Sequence, residues 1–211
     1  MSGLALPPND GGHRFPGFDV LGQSKHWDDA TVKVIAARMG APAPIRFFTE
    51  HEADTATALF NLLLDQSDDT VVPVTNMVDS RLIARETDGW HYEDMAPDGE
   101  SWRLSLAALD DEAHNLELKA FIQLALDAQE GIIQAVQDLG SADWHGMSAA
   151  HLWSLWTRYA CTAFYSHPFA WQEIGFAGPA YPRGYKNIGL DRREPFEVRD
   201  AHPTLADGWH P

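Results

Sequence analysis

Residues 47–63 read FFTEHEADTATALFNLL, and this stretch decides the fold class. Thr49 followed three residues later by Glu52 is a capping box: the hydroxyl accepts the Glu52 amide while the carboxylate reaches back to the Thr49 amide. Behind it, Ala53, Ala56, Leu59, Phe60 and Leu63 recur at helical spacing, and Phe47 and Phe48 stand where a hydrophobic staple fixes the entry of the chain. The pattern predicts an amphipathic helix opening at Thr49.

The same signals repeat outward from it. Upstream, Asp28 or Asp29 caps a segment in which Val32, Ile35, Ala36 and Met39 recur, closed by Gly40 and Pro42. Downstream, Val74, Met77, Val78 and Leu82 predict a third helix with Pro73 tolerated in its first turn. Residues 86–100, with Gly89, Pro97 and Gly99, read as a loop before Trp102, Leu106, Leu109 and Ala113 mark a fourth. Asp127 and Glu130 form a second capping-box pattern ahead of Ile132, Ile133, Val136 and Leu139. Ser148 precedes Leu152, Leu155, Trp156, Tyr159 and Ala163, a helix that stops near His167 because Pro168 disfavours the α conformation before it. No stretch alternates like a strand for long. The expected fold is mostly α: a single compact domain of about five to six helices over residues 27–165. An extended arm over 1–26 and an irregular tail rich in Gly, Pro and aromatics over 166–211 flank it.

The chain has 211 residues and a formal charge of −16, which repels phosphate and argues against nucleic acid or an anionic membrane surface as ligand. That charge is unevenly placed. Residues 1–143 hold 25 acids and 9 bases, whereas residues 144–211 hold 6 of each. Residues 144–190 carry 11 of the 23 aromatics and one acid, Glu173. A core helix followed by a tail accounts for this composition, and so does a protein interface, since interface centres are poor in charge and rich in Trp, Tyr, Phe and Arg.

Catalytic signatures are missing from the sequence. There is no GxGxxG, no GxxxxGK[ST] and no CxxCH, and Cys161 stands alone, read as a small buried hydrophobe on its helix. His145, His151 and His167 lack the spacing that puts two metal ligands on one helical face. They leave open a free-standing helical enzyme with a His and aromatic pocket, and a general helical interaction module is a further reading. No apolar run approaches the ~20 residues of a membrane span. The first residues show neither a basic n-region nor a twin-Arg pair, so the expected address is cytoplasmic.

Two stretches carry a resemblance. FFTEHE at 47–52 and YSHPFAWQEIGFAGPAYPRGY at 165–185 resemble the gluconate 2-dehydrogenase subunit 3 family, over residues 45–198 in all. The resemblance implies a small, mostly helical, non-catalytic subunit that stabilises or matures a large FAD-dependent oxidoreductase of the glucose-methanol-choline (GMC) type, acting on a sugar, glycoside or sugar acid. It implies that FAD sits in the partner and no cofactor in this chain, in a hetero-oligomer. The aromatic tail would then pack on the flavoprotein, with Trp156, Tyr165, His167, Trp171, Phe176, Tyr181, Arg183 and Tyr185 as the interface candidates. Many family members carry a twin-Arg export signal, and this sequence departs from them there.

Overall fold

In the computed structural model, which describes residues 14–66, 70–190 and 192–201, the chain is mostly helical. A 3-10 turn (Leu21–His26) precedes α1 (Asp29–Arg38), α2 (Glu50–Leu63), α3 (Val74–Ile83) and α4 (Asp98–Glu117). A second 3-10 turn (Phe121–Gln123), α5 (Leu126–Asp138), β1 (Asp143–Trp144), β2 (Met147–Ser148), α6 (Ala149–Phe164) and α7 (Pro168–Glu173) follow. The contacts group the chain differently from the boundaries read at residues 26 and 165. Residues 42–163 form one compact unit, and the described parts of 1–41 and 164–211 form another.

In the unit of residues 42–163, both halves of the capping box form. Thr49 Oγ1 accepts the Glu52 amide at 3.2 Å and Glu52 accepts the Thr49 amide at 2.8 Å. Helix α2 packs on α3 and α4, and α4 packs on α5. Leu59 and Phe60 of α2, Trp102, Leu106 and Leu109 of α4, and Leu152, Trp156 and Tyr159 of α6 are buried. Trp102 ties them together, its ring 5.2 Å from Phe60 and 5.8 Å from Tyr159 between centroids, within the range of favourable aromatic pairs. The approach to α2 has no regular structure, so its amides need other acceptors. The buried Asp79 carboxylate of α3 supplies them, accepting from Arg46, Phe47 and Phe48 at 2.8–2.9 Å. This seats Phe48 in the core.

A second carboxylate fixes the loop between α3 and α4. Asp88 pairs with Arg81 and Arg158, and although burial works against its charge, the two guanidinium groups hold its carboxyl below the usual range. Arg158 also lies over Trp90, 4.7 Å from the ring centre. Burial, reinforced by donation to Asp98 at 2.6 Å, pushes the Tyr159 hydroxyl far above its ordinary pKa.

Four details of this unit differ from the sequence reading, and in the other unit the arm read as extended holds the 3-10 turn Leu21–His26. Helix α4 starts at Asp98, four residues before Trp102. Helix α5 has Ala125 as its N-cap with no side-chain cap, so Asp127 sits inside the first turn. There the helix dipole favours it, while the buried Gln129 reaches back to donate to the Phe121 carbonyl at 2.9 Å. Cys161 is exposed, because it faces away from the stripe of Leu152, Leu155, Trp156, Tyr159 and Ala163. A short hairpin pairs Trp144 with Met147, and its two-residue turn, His145 and Gly146, has both φ values positive, at 50° and 78°. Such turns match the twist of paired strands.

In the other unit, residues 1–13 and 202–211 of the arm and tail lie outside the described residues. Residues 14–26 bury Phe15 and Val20. Helix α1 is capped by Asp28, which accepts the Thr31 amide at 2.8 Å. Its Ile35 joins Val20, Trp27 and Trp171 in a small core. That shared core is why α1 groups with the tail.

The tail read as irregular over 166–211 opens instead with a short helix, α7, which starts at the His-Pro pair. Pro168 occupies the first turn, where a missing amide costs nothing, and His167 is the N-cap, its Nδ1 accepting the Phe169 amide at 3.2 Å. Burial holds the His167 pKa below its usual value, with the Arg38 charge adding to the shift. The cap requires an unprotonated Nδ1. Because the unfolded chain takes up the proton more readily, this contribution is complete above the unfolded value of about 6.5 and is lost as the pH falls towards the lower folded value.

Two predictions follow from these buried groups. Replacing Asp79 with Ala strands three amides at the entry of α2 and is expected to destabilise the protein by about 3 kcal/mol or more, measured by urea unfolding. Acidification from pH 7 to 5 is expected to lower the stability measured by urea unfolding, by no more than ~1.4 kcal/mol per pH unit from this one group. A His167→Asn variant, whose cap does not titrate, should show a flatter pH profile, and an unchanged slope would exclude His167 as the source.

Candidate partner interface

The tail after α7 is built from residues that cannot continue a helix, and each piece is held by a side chain. Gln172 reaches back to the N-terminal segment, accepting the Val20 amide at 2.9 Å and donating to the Phe18 carbonyl. The indole of Trp171 donates to the Tyr165 carbonyl at 2.6 Å, and Arg38 donates to the Ser166 carbonyl at 2.8 Å. At Gly178 (φ +78°) a Cβ would stand 2.4 Å from the Trp27 ring. Glycine there answers to both φ and space. Arg183 closes the turn beyond it, donating to the Ala177 and Pro179 carbonyls at 3.1 and 3.4 Å and to Gln23 at 3.2 Å. Its guanidinium lies 3.8 Å from the centre of the Phe196 ring, and burial lowers its pKa.

The eight interface candidates therefore separate into groups. Trp156 is a correction: it is 0% exposed, donates from Nε1 to Ser105 Oγ at 3.1 Å and lies 5.8 Å from Trp144. It is a core residue of α6, because it falls on the same stripe as Leu152 and Tyr159. His167 and Trp171 are buried and shape the tail from inside. Arg183 is half-buried and organises the turn. Tyr165, Phe176, Tyr181 and Tyr185 are exposed, Tyr181 by 67%.

Sequence reasoning passed over three further exposed apolar side chains in the described tail, Ile174, Ile188 and Leu190. The last two are 83% and 93% exposed. They stand singly among Asn, Gly and charged residues, so no periodicity flags them. The available signal was aliphatic residues on backbone that forms neither helix nor strand.

The three histidines of the enzyme reading are held separately. His145 Nε2 meets Glu112 at 2.8 Å, and His151 Nδ1 meets Asp94 at 2.8 Å while stacking on Tyr92 with centroids 3.7 Å apart. His167 is the α7 cap. Among the described residues, no group of three or more His, Cys, Asp or Glu is arranged to hold a metal ion, and no helix is long and apolar enough to cross a membrane.

No curated protein and no solved structure matches the chain. A family model described as gluconate 2-dehydrogenase subunit 3 matches residues 50–178. The match begins at the first residue of α2 and ends at Gly178, the glycine against Trp27. It spans more than half of the chain, and the protein belongs to the gluconate 2-dehydrogenase subunit 3 family, accessory subunits of a dehydrogenase complex.

Proposed function

We propose that this chain is the non-catalytic small subunit of an oxidoreductase whose large subunit is a GMC-type flavoprotein. The large subunit would carry FAD and oxidise a sugar, glycoside or sugar acid, and this chain would bind and stabilise or mature it. The observation that carries the reading is the set of exposed aromatics, Tyr165, Phe176, Tyr181 and Tyr185, on a unit with its own small core. Exposed large aromatics favour association, because they bury much apolar area while the Tyr hydroxyls keep a polar contact. Family membership supplies the kind of complex, and the tail supplies a surface suited to it. The carboxylates paired with His145 and His151 account for those rings without acid-base chemistry.

Co-expression with a flavoprotein encoded beside this chain tests the proposal. The two are expected to co-elute on size exclusion with a flavin spectrum, and the chain alone to be colourless and inactive. Sugar oxidation by the isolated chain with an added electron acceptor would refute it. Tyr181 and Trp171 separate docking from folding. Tyr181→Ala should weaken the complex by about 2 kcal/mol with little change in melting temperature. Trp171→Ala, which empties a buried site, should cost the isolated chain about 3 kcal/mol or more. Equal stability losses from both would place Tyr181 in the fold rather than the interface.

A further inference from the structure

Residues 181–193 read YPRGYKNIGLDRR, with four cations and one acid. They carry a formal +3 within a chain of −16. Lys186, Arg192 and Arg193 are exposed, and among the described residues none of the three forms an ion pair. Ile188 and Leu190 project between them, nearly fully exposed.

The neighbouring acid is turned inward. Glu194 is buried, and its carboxylate accepts the amides of Lys186 and Asn187 at the start of the loop. Asn187 donates to the Arg193 carbonyl at 3.0 Å, tying the start of the loop to its end. The Tyr185 ring meets Phe196 at 5.8 Å. Lys186, Asn187 and Arg193 are thus clamped by side chains, and among the described residues of the loop Lys186, Arg192 and Arg193 present cations beside the exposed Ile188 and Leu190. Backbone clamped at these positions before binding loses less conformational entropy on docking. Burying an exposed Ile or Leu is a substantial apolar gain.

We propose that this loop is a preorganised docking element that seats Ile188 and Leu190 in apolar sockets on an acidic face of the dehydrogenase partner. Lys186, Arg192 and Arg193 pair with carboxylates around the sockets. Charge complementarity calls for an acidic occupant, and membership of a family of dehydrogenase subunits makes that occupant a face of the partner protein rather than an anionic lipid surface. The loop lies beyond the family match at 50–178, so it is suited to setting which partner is bound. The inference rests on the accessory-subunit reading.

The test uses the full chain co-expressed with the flavoprotein, comparing wild type with an Ile188→Ser/Leu190→Ser variant and a Lys186→Glu/Arg192→Glu/Arg193→Glu variant. The aliphatic variant is expected to weaken the complex about 30-fold. The charge reversal should slow association about tenfold or more at low salt, an effect that shrinks at high salt. Melting temperatures of the isolated variants should stay near wild type, since the altered side chains are exposed. Failure of the wild-type chains to associate would overturn this inference together with the reading it rests on. A stable complex that neither variant weakens would overturn this inference alone. Loop-dependent dimerisation of the isolated chain, or loop-dependent binding to phosphatidylserine vesicles without an effect on the complex, would also overturn it, assigning the loop to a second copy or to lipid.

Discussion

The Trp27 ring lies so close to Gly178 that no side chain fits between them. This contact sets the character of the unit that carries the candidate interface. A small core of Val20, Trp27, Ile35 and Trp171 forms only if tail backbone comes flush against an indole, and only glycine permits that at a positive φ. Backbone so rich in glycine and proline forms isolated turns rather than a repeating ladder of hydrogen bonds. Side chains supply much of the remaining support. Gln172 ties the tail to residues 18 and 20, Arg183 gathers the carbonyls of Ala177 and Pro179, and Glu194 gathers the amides of Lys186 and Asn187.

The unit of residues 42–163 solves the same problem by other means. Its amides are spent within long helices, and the gaps between helices are filled by two carboxylates. Asp79 serves three amides before α2, and Asp88 joins Arg81 and Arg158 across the loop before α4. Most of its aromatic residues are turned inward, Trp102 and Trp156 fully, while Trp90 stays exposed. Trp-rich composition alone does not separate these two situations. A core Trp and an interface Tyr differ in whether their backbone leaves a side to solvent, which composition does not record.

That distinction explains what the sequence disclosed. The helices were legible because Thr49, Glu52 and Asp28 act locally, satisfying amides two or three residues away. The His167–Pro168 break was legible for the same reason. What escaped was set by partners distant in sequence. Asp127 looks like a cap until Gln129, reaching back to Phe121, shows that α5 begins earlier. Trp156 looked like interface because it shares a charge-poor segment with Tyr181, yet Ser105, 51 residues away, receives its indole N–H. The hairpin at 143–148 was hidden by its length, two residues per strand, although Gly146 marks its turn.

The charge distribution gains a structural meaning from the same side-chain clamps. Residues 144–211 are neutral by formal count, but neutrality in a sum conceals where each charge is spent. Glu194 is buried against amides and Asp200 is joined to Arg14 across the two ends of the chain, while Lys186, Arg192 and Arg193 face outward. The loop therefore presents a more cationic surface than its sequence neighbourhood suggests. A carboxylate consumed by backbone amides holds the loop in shape and, by the same act, withdraws negative charge from its face. Order and charge at this surface thus share one cause, the inward turn of Glu194. A substitution there would alter both at once, whereas changes at Ile188 or Arg192 touch only what the loop offers to a partner.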